Sequence, residues 1–205
     1  MAPTPTCTAR GILPGGLLSR LAPERALLRY EDIGAVRCRG SEVQLALRCG
    51  ERRDLSCSDG LAAEALAAEI DAILHPARTV LASIDGLSEL RKAIRRELQQ
   101  PAWLASGIWE LILLAAARLG VQDLRLETQV GASARLVARR EGLLHPIAEL
   151  AAPIATRLRN GLDAEGNGDV LGGTLRLAGG HRSGFRGRLR VVPGRRGDDL
   201  LVSLE

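Results

Sequence analysis

Apolar and polar residues alternate along short segments in the first third of the chain, a pattern typical of strands that bury one face. The alternation is clearest in residues 42–49 (EVQLALRC), where Val43, Leu45 and Leu47 fall on one face, and residues 25–38 (RALLRYEDIGAVRC) show it as well. The glycine of RCGERRD then follows at a position typical of a hairpin turn. These segments predict a small antiparallel sheet.

Helical spacing replaces the alternation in the next segment, SDGLAAEALAAEIDAILHP. Ser58 or Asp59 is expected to cap this helix and Pro76 to end it. We expect the helix to cover one face of the sheet, after a flexible arm over residues 1–10. The combination of strands and one amphipathic helix over residues 11–75 resembles bacterial pleckstrin-homology-type domains.

A charged segment over residues 76–105 is interpreted as a helical connector between two domains. Its central part, DGLSELRKAIRRELQQPAW, has helical spacing and ends before Pro101. The inward positions are Leu87, Leu90, Ile94 and Leu98. The polar side carries a basic cluster, which either contacts phosphate groups or an acidic partner or is a solvated helix face. This basic cluster consists of Arg91, Lys92, Arg95 and Arg96.

The second half of the chain shows a longer alternation of patterns. The stretch SGIWELILLAAARLG is apolar almost all round and predicts a buried helix that Gly120 closes. Alternation in DLRLET and SARLVARREGLL predicts two strands. Helical spacing returns after Pro146, and three further strands with glycine-rich turns end the chain. We therefore predict an α+β protein of two small domains, each a mainly antiparallel sheet packed with helices.

Five segments of residues 106–205 follow one another in a recognisable order: GVQDLRLET, ARREGLL, GLDAEGN, LRVVP and LLVSLE. In order and spacing this half of the chain resembles the domain that precedes the ATPase core of type II secretion and type IV pilus assembly ATPases. The sequence departs from the family pattern at three places. Arg125 and Glu127-Thr128 replace a His and a Glu-Pro, Glu141-Gly142 replaces an Asp-Gly turn, and VLGGT replaces PQDGR.

The resemblance implies a role for two arginines. In the family, arginines of this domain reach the nucleotide bound by the neighbouring core, and the positions that match by motif are Arg139 and Arg190. The alternative is that both are ordinary strand residues that face solvent. The resemblance also implies a partner, which is a secretion or pilus ATPase core or the cytoplasmic part of an inner-membrane platform protein.

Catalytic chemistry is not indicated by the sequence. It contains no GxxxxGK[ST] motif to hold ATP phosphates and no G-x-S-x-G nucleophile motif, and it ends where the ATPase core of the resembled family would begin. The four cysteines include no CxxC pair and the three histidines are scattered. We expect no enzyme activity of the chain alone, no catalytic residue, no metal and no cofactor.

The charge and composition leave a second function open. The net charge is +4 and the pI about 9.3, and arginine supplies nearly all the positive charge. With four aromatic residues in the chain, a base-stacking platform is improbable, so any nucleic-acid contact would be to backbone phosphate. No apolar run reaches the roughly 20 residues of a membrane span, and the N-terminus lacks a signal peptide, which indicates a cytoplasmic protein.

The leading hypothesis is a non-catalytic assembly or regulatory module of a secretion or pilus system, or the N-terminal part of its ATPase. Such a module is expected in the cytoplasm, held at the inner membrane where a partner anchors it. The alternative is an electrostatic protein that binds nucleic acid or an anionic surface through the arginines of the connector and the C-terminal strands.

Overall fold

The computed structural model describes residues 5–15, 26–165, 173–176 and 186–204. The chain divides into two compact units. The first holds the residues up to Pro76 together with Gln100–Leu104, and the second holds Ala77–Gln99 and the residues from Ala105 onward. Helices and antiparallel sheets make up both units, which confirms the predicted α+β class.

The described residues of the first unit form two three-stranded antiparallel sheets and one long helix. The strands of the first sheet, in the order β1-β2-β3, are β1 (Thr6–Cys7), β2 (Gly11–Leu13) and β3 (Leu28–Arg29). The strands of the second sheet, in the order β4-β5-β6, are β4 (Ile33–Arg39), β5 (Glu42–Leu47) and β6 (Arg52–Ser56). Helix α1 (Gly60–Leu74) follows. Residues 1–4 of the predicted arm lie outside the described residues, whereas Thr6–Cys7 pair with β2.

The core of the first unit lies between α1 and the sheets. Val43 and Leu45 are 0% and 1% exposed, as the alternation of β5 predicts, and they cluster with Ile70 of α1. Asp59 is the N-cap, since its carboxylate accepts a hydrogen bond from the N–H of Ala62 at 2.8 Å. Leu104 joins the same core although it is distant in sequence, which explains why Gln100–Leu104 belong to this unit.

The second unit is built on a six-stranded antiparallel sheet. Its strands are β7 (Asp123–Thr128), β8 (Ala134–Arg140), β9 (Leu143–Leu150), β10 (Gly173–Arg176), β11 (Arg186–Pro193) and β12 (Asp198–Leu204). They pair in the order β10-β11-β12-β7-β8-β9. Its helices are α2 (Ala77–Val80), α3 (Leu87–Leu98), α4 (Ala105–Arg118) and α5 (Ala152–Glu165). No described helix is both long enough and apolar enough to cross a membrane.

Helices cover one face of this sheet. Helix α4 is buried on several sides, as its apolar sequence predicts, and packs against α5. The indole N–H of Trp109 donates a hydrogen bond to the carbonyl oxygen of Leu158 at 2.7 Å, which satisfies the one polar atom of a side chain that is 1% exposed. Leu124 and Leu126 of β7 are 1% exposed, and they alternate with polar residues on the opposite face.

The predicted helix after Pro146 is wrong over its first turns, because residues 143–150 form the edge strand β9. Ile147 and Leu150 are both buried although they are three residues apart, a spacing that is typical of helices. A β-bulge produces this spacing: Leu136 pairs with Ala148 and Val137 with Pro146, so Ile147 has no partner opposite it. The order is therefore helix, three strands, helix, three strands.

The predicted connector over residues 76–105 also differs from the structure. Helix α3 packs against β9 and α4 of the second unit, with Leu90 and Ile94 at 0% exposure. The expected apolar face is thus present, but it packs into the core of the second unit and does not form a separate connector between two domains. Gln100–Leu104 belong to the first unit, so the chain crosses between the units three times, near residues 76, 99 and 104.

Candidate functional site

The face of the six-stranded sheet opposite the helices carries charged side chains, and we call it the charged face. Alternation along each strand brings these residues there, because successive side chains of a strand point to opposite sides. Among the described residues, three ion pairs cross between neighbouring strands: Arg139 with Asp123, Arg135 with Glu149 at 2.6 Å, and Arg125 with Asp199 at 2.8 Å. The charged face is therefore a network of paired charges that retains exposed guanidinium groups.

Arg139 lies on β8 directly opposite Asp123 of β7. Its Nε donates to the Oδ2 of Asp123 at 2.6 Å, and its Nη2 donates to the same oxygen. The arginine side chain is 50% exposed and the aspartate 13%. Asp123 thus fixes the direction of the guanidinium group while half of the arginine side chain still faces solvent.

Arg190 lies on β11 of the same sheet and is exposed. Residues directly opposite each other on neighbouring strands share a face of the sheet. Arg190 is opposite Leu201, Leu201 is opposite Arg125, and Arg125 is opposite Val137. Val137 is two residues from Arg139 on β8 and shares its face, so Arg190 lies on the charged face as Arg139 does. Three strand spacings, or about 14 Å, separate β11 from β8. Among the described residues Arg190 has no ion-pair partner. The structure brings the two arginines to one face without placing them side by side.

Asp199 is a residue of this face that the sequence analysis did not identify. It is 3% exposed, its Oδ1 accepts from the N–H of Thr128 at 2.7 Å, and its Oδ2 accepts from Nε of Arg125 at 3.0 Å. These bonds join the end of β7 to the start of β12. Only the pairing of β12 with β7 reveals this contact, and local sequence carries no signal for that pairing.

The four residues of the basic cluster on α3 are all exposed, but they have different surroundings. Arg91 donates a hydrogen bond to the carbonyl oxygen of Pro146, and Nε of Arg96 donates to Glu97 at 3.0 Å. Arg91 and Arg95 line a groove of about 360 Å³ between α3, β9 and α5, whereas Lys92 and Arg96 do not. The cluster is therefore divided between a groove and an open helix surface.

The cysteines lie in the first unit and form no metal site. In the part of the chain that the structure describes, no three His, Cys, Asp or Glu side chains are grouped so as to hold a metal ion. All four cysteines are free thiols, Cys38 and Cys49 exposed and Cys57 buried. Burial raises the pKa of the Cys57 thiol and that of the Cys7 thiol. A raised pKa lowers the thiolate fraction, so neither thiol is activated as a nucleophile.

Comparison with known proteins adds no assignment. No protein-family model matches the sequence, and no curated protein is significantly similar to it.

Proposed function

We propose that this chain is a non-catalytic assembly or regulatory module of a type II secretion or type IV pilus-like system, or the N-terminal part of the ATPase of such a system. Its second unit binds an ATPase core or the cytoplasmic part of an inner-membrane platform protein. The observation that carries the proposal is that Arg139 and Arg190, the two arginines matched by motif, are exposed on one face of one sheet.

The order of the elements supports the same proposal. The resembling segments GVQDLRLET, ARREGLL and LRVVP correspond to β7, to the turn between β8 and β9, and to β11 of a single sheet. The segment LLVSLE lies in β12 up to residue 204. GLDAEGN extends beyond α5 into residues outside the described ones, as does part of VLGGT. The described segments thus belong to one compact unit.

The chemistry of the two arginines fits contact with a phosphate group or a carboxylate of a partner. A guanidinium group presents several N–H donors in a planar fork, which matches such groups. Asp123 occupies Nε and Nη2 of Arg139, so Nη1 is left to donate to a partner. Arg190 contributes a second anchor on the same face, and the hydrolytic residues belong to the partner.

The test is cross-linking and co-purification from the source cells, with the tagged full chain as bait. We expect a secretion or pilus ATPase, or its platform protein, to co-purify with the wild-type chain. The double variant Arg139→Ala, Arg190→Ala is expected to recover about thirty-fold less of it, since the two arginine contacts together are worth about 2 kcal/mol. Arg135→Ala is the matched control, because Arg135 is, like Arg139, an exposed and ion-paired arginine of β8 but is not one of the two positions matched by motif.

Two results contradict the proposal: recovery of neither partner from the wild-type chain, or equal recovery with the double variant and with Arg135→Ala. The size of the native gene product, measured with an antibody against this chain, separates the two forms of the proposal. A band near 21.9 kDa indicates a stand-alone module. A much heavier band indicates that the residues belong to the ATPase itself.

Electrostatic binding of nucleic acid is the second candidate, and the exposure of all four residues of the basic cluster favours it. The logarithm of the binding constant for duplex DNA would then fall linearly with the logarithm of the salt concentration, with a slope of about −0.9 for each phosphate neutralised. The measurement is fluorescence anisotropy of labelled duplex DNA at increasing salt. Absence of binding at low salt removes this candidate.

A further inference from the structure

The groove beside the basic cluster, which we call the α3–β9 groove, has features of a ligand site. Its volume is about 360 Å³, within the roughly 300–1,000 Å³ typical of small-molecule sites. All of its lining residues belong to the second unit. The groove therefore lies within one compact part of the chain.

The floor of the groove is apolar. Ile94, Ile147 and Leu150 are buried at its base, and Leu98 and Ile154 are only partly buried beside them. Leu98 and Ile154 thus keep apolar surface in contact with water. Covering such surface is favourable by about 25 cal/mol for each Å² removed from water.

The rim of the groove is positively charged. Arg91 and Arg95 are four residues apart on α3 and so project from the same side of the helix. The carbonyl oxygen of Pro146 holds Arg91 in place, whereas Arg95 has no ion-pair or hydrogen-bond partner among the described residues. Glu149 on the opposite rim forms an ion pair with Arg135, whose Nε lies 2.6 Å from its Oε1, so these two charges offset each other. The charge available to a ligand is therefore that of the two arginines.

An added β-strand is not the expected occupant, even though β9 is an edge strand. Pro146 has no backbone N–H, and its carbonyl oxygen already accepts from Arg91. Pro146 thus offers a new strand no donor and an acceptor that is already engaged, and a proline on an edge strand is a common way of protecting sheet edges. Recognition in the groove has to come from side chains.

We propose that the α3–β9 groove binds a small amphipathic anion. Its apolar body covers Leu98 and Ile154, and its carboxylate or phosphate group accepts hydrogen bonds from Arg95, with Arg91 adding charge. The site is independent of the proposed function, because it uses neither Arg139 nor Arg190.

The test is a titration of the ¹⁵N-labelled full chain, followed by NMR, with octanoate, octyl phosphate and the neutral octanol as probes. The two anions are expected to shift amide signals of α3 and β9 saturably, and octanol to bind at least about five-fold more weakly. Arg95→Gln is expected to bind the anions about five-fold more weakly than the wild-type chain does, with the charge of Arg91 retained. Arg96→Gln, an exposed arginine one residue away that does not line the groove, is expected to bind them as the wild type does.

The stronger of the two anions identifies the head group, and either order supports the proposal. Equal binding of octanol and the anions overturns it, because the arginines would then contribute nothing. Equal weakening by Arg95→Gln and Arg96→Gln also overturns it, since the effect would then be that of general positive charge. If the saturable shifts are confined to amide signals of residues outside α3 and β9, the ligand binds elsewhere, and the proposed site is overturned.

Discussion

Asp199 is the only buried charged side chain among the described residues. A buried carboxylate is costly unless hydrogen bonds and an opposite charge compensate it. Both are present, since the N–H of Thr128 donates at 2.7 Å and the guanidinium group of Arg125 approaches to 2.8 Å. Arg125 is 37% exposed, so solvent screens part of the attraction. Asp199 therefore holds the central strands β7 and β12 together and, with them, the charged face.

Asp199→Asn is expected to lower the free energy of unfolding by about 1–2 kcal/mol, because it preserves the shape but removes the charge that faces Arg125. Urea unfolding at neutral pH measures this. Glu149→Gln is the control, because Glu149 is 66% exposed and its pair with Arg135 is worth at most about 1 kcal/mol. Equal effects of the two substitutions would contradict the importance assigned to burial.

The carboxylate of Asp59 makes the stability of α1 depend on pH. Hydrogen bonds, first from the N–H of Ala62 and then from Ser58, lower the pKa of Asp59 from its ordinary value of 3.8. A lowered folded-state pKa means that the stabilising contribution is complete above 3.8 and is lost as the pH falls through the folded-state value. Asp59→Asn keeps the cap without the titration. We expect the wild-type chain to be more stable in urea than this variant at neutral pH and the difference to vanish well below 3.8.

At the scale of elements, the β8–β9 hairpin shows what a local pattern predicts well. Glu141 and Gly142 form its two-residue turn with φ angles of 53° and 79°, the left-handed pair that such a turn requires. Gly142→Ala is expected to cost about 1 kcal/mol or more, since a side chain is strained there although space is available. Glu141→Asn is expected to be neutral or slightly stabilising in the same urea measurement. Destabilisation by both would mean that the turn has another conformation.

The strand after that turn shows where local pattern fails. Pro146 and the spacing of Ile147 and Leu150 are typical of the start of a helix, yet the segment is a strand. Pro146 is tolerated there because β9 is an edge, and a bulge accounts for the spacing. Neither edge position nor bulge is determined locally. The charged face shows the same division. Alternation along β8 predicts that Arg139 is exposed, whereas its contact with Asp123 and the burial of Asp199 depend on which strands pair.

At the scale of the whole molecule, α3 decides where the second unit begins. The sequence pattern predicts that residues 106–205 form a domain of their own after a connector. In the structure Leu90 and Ile94 of α3 are fully buried in the second unit, against β9 and α4. Removal of α3 would expose the surfaces of β9 and α4 that it covers and would also remove one wall of the α3–β9 groove.

We therefore expect a fragment of residues 77–205 to fold and one of residues 106–205 to be less stable by at least about 3 kcal/mol, the value of burying two large apolar side chains. Circular dichroism during urea unfolding of the two fragments measures the difference. Leu90→Ala in the longer fragment is expected to fall between them, because it removes one of the two side chains and keeps the helix. Equal stability of the two fragments would mean that α3 adds nothing to this unit and is a connector after all. The charged face would then remain a candidate docking surface, whereas the groove would lose the helix that supplies its arginines.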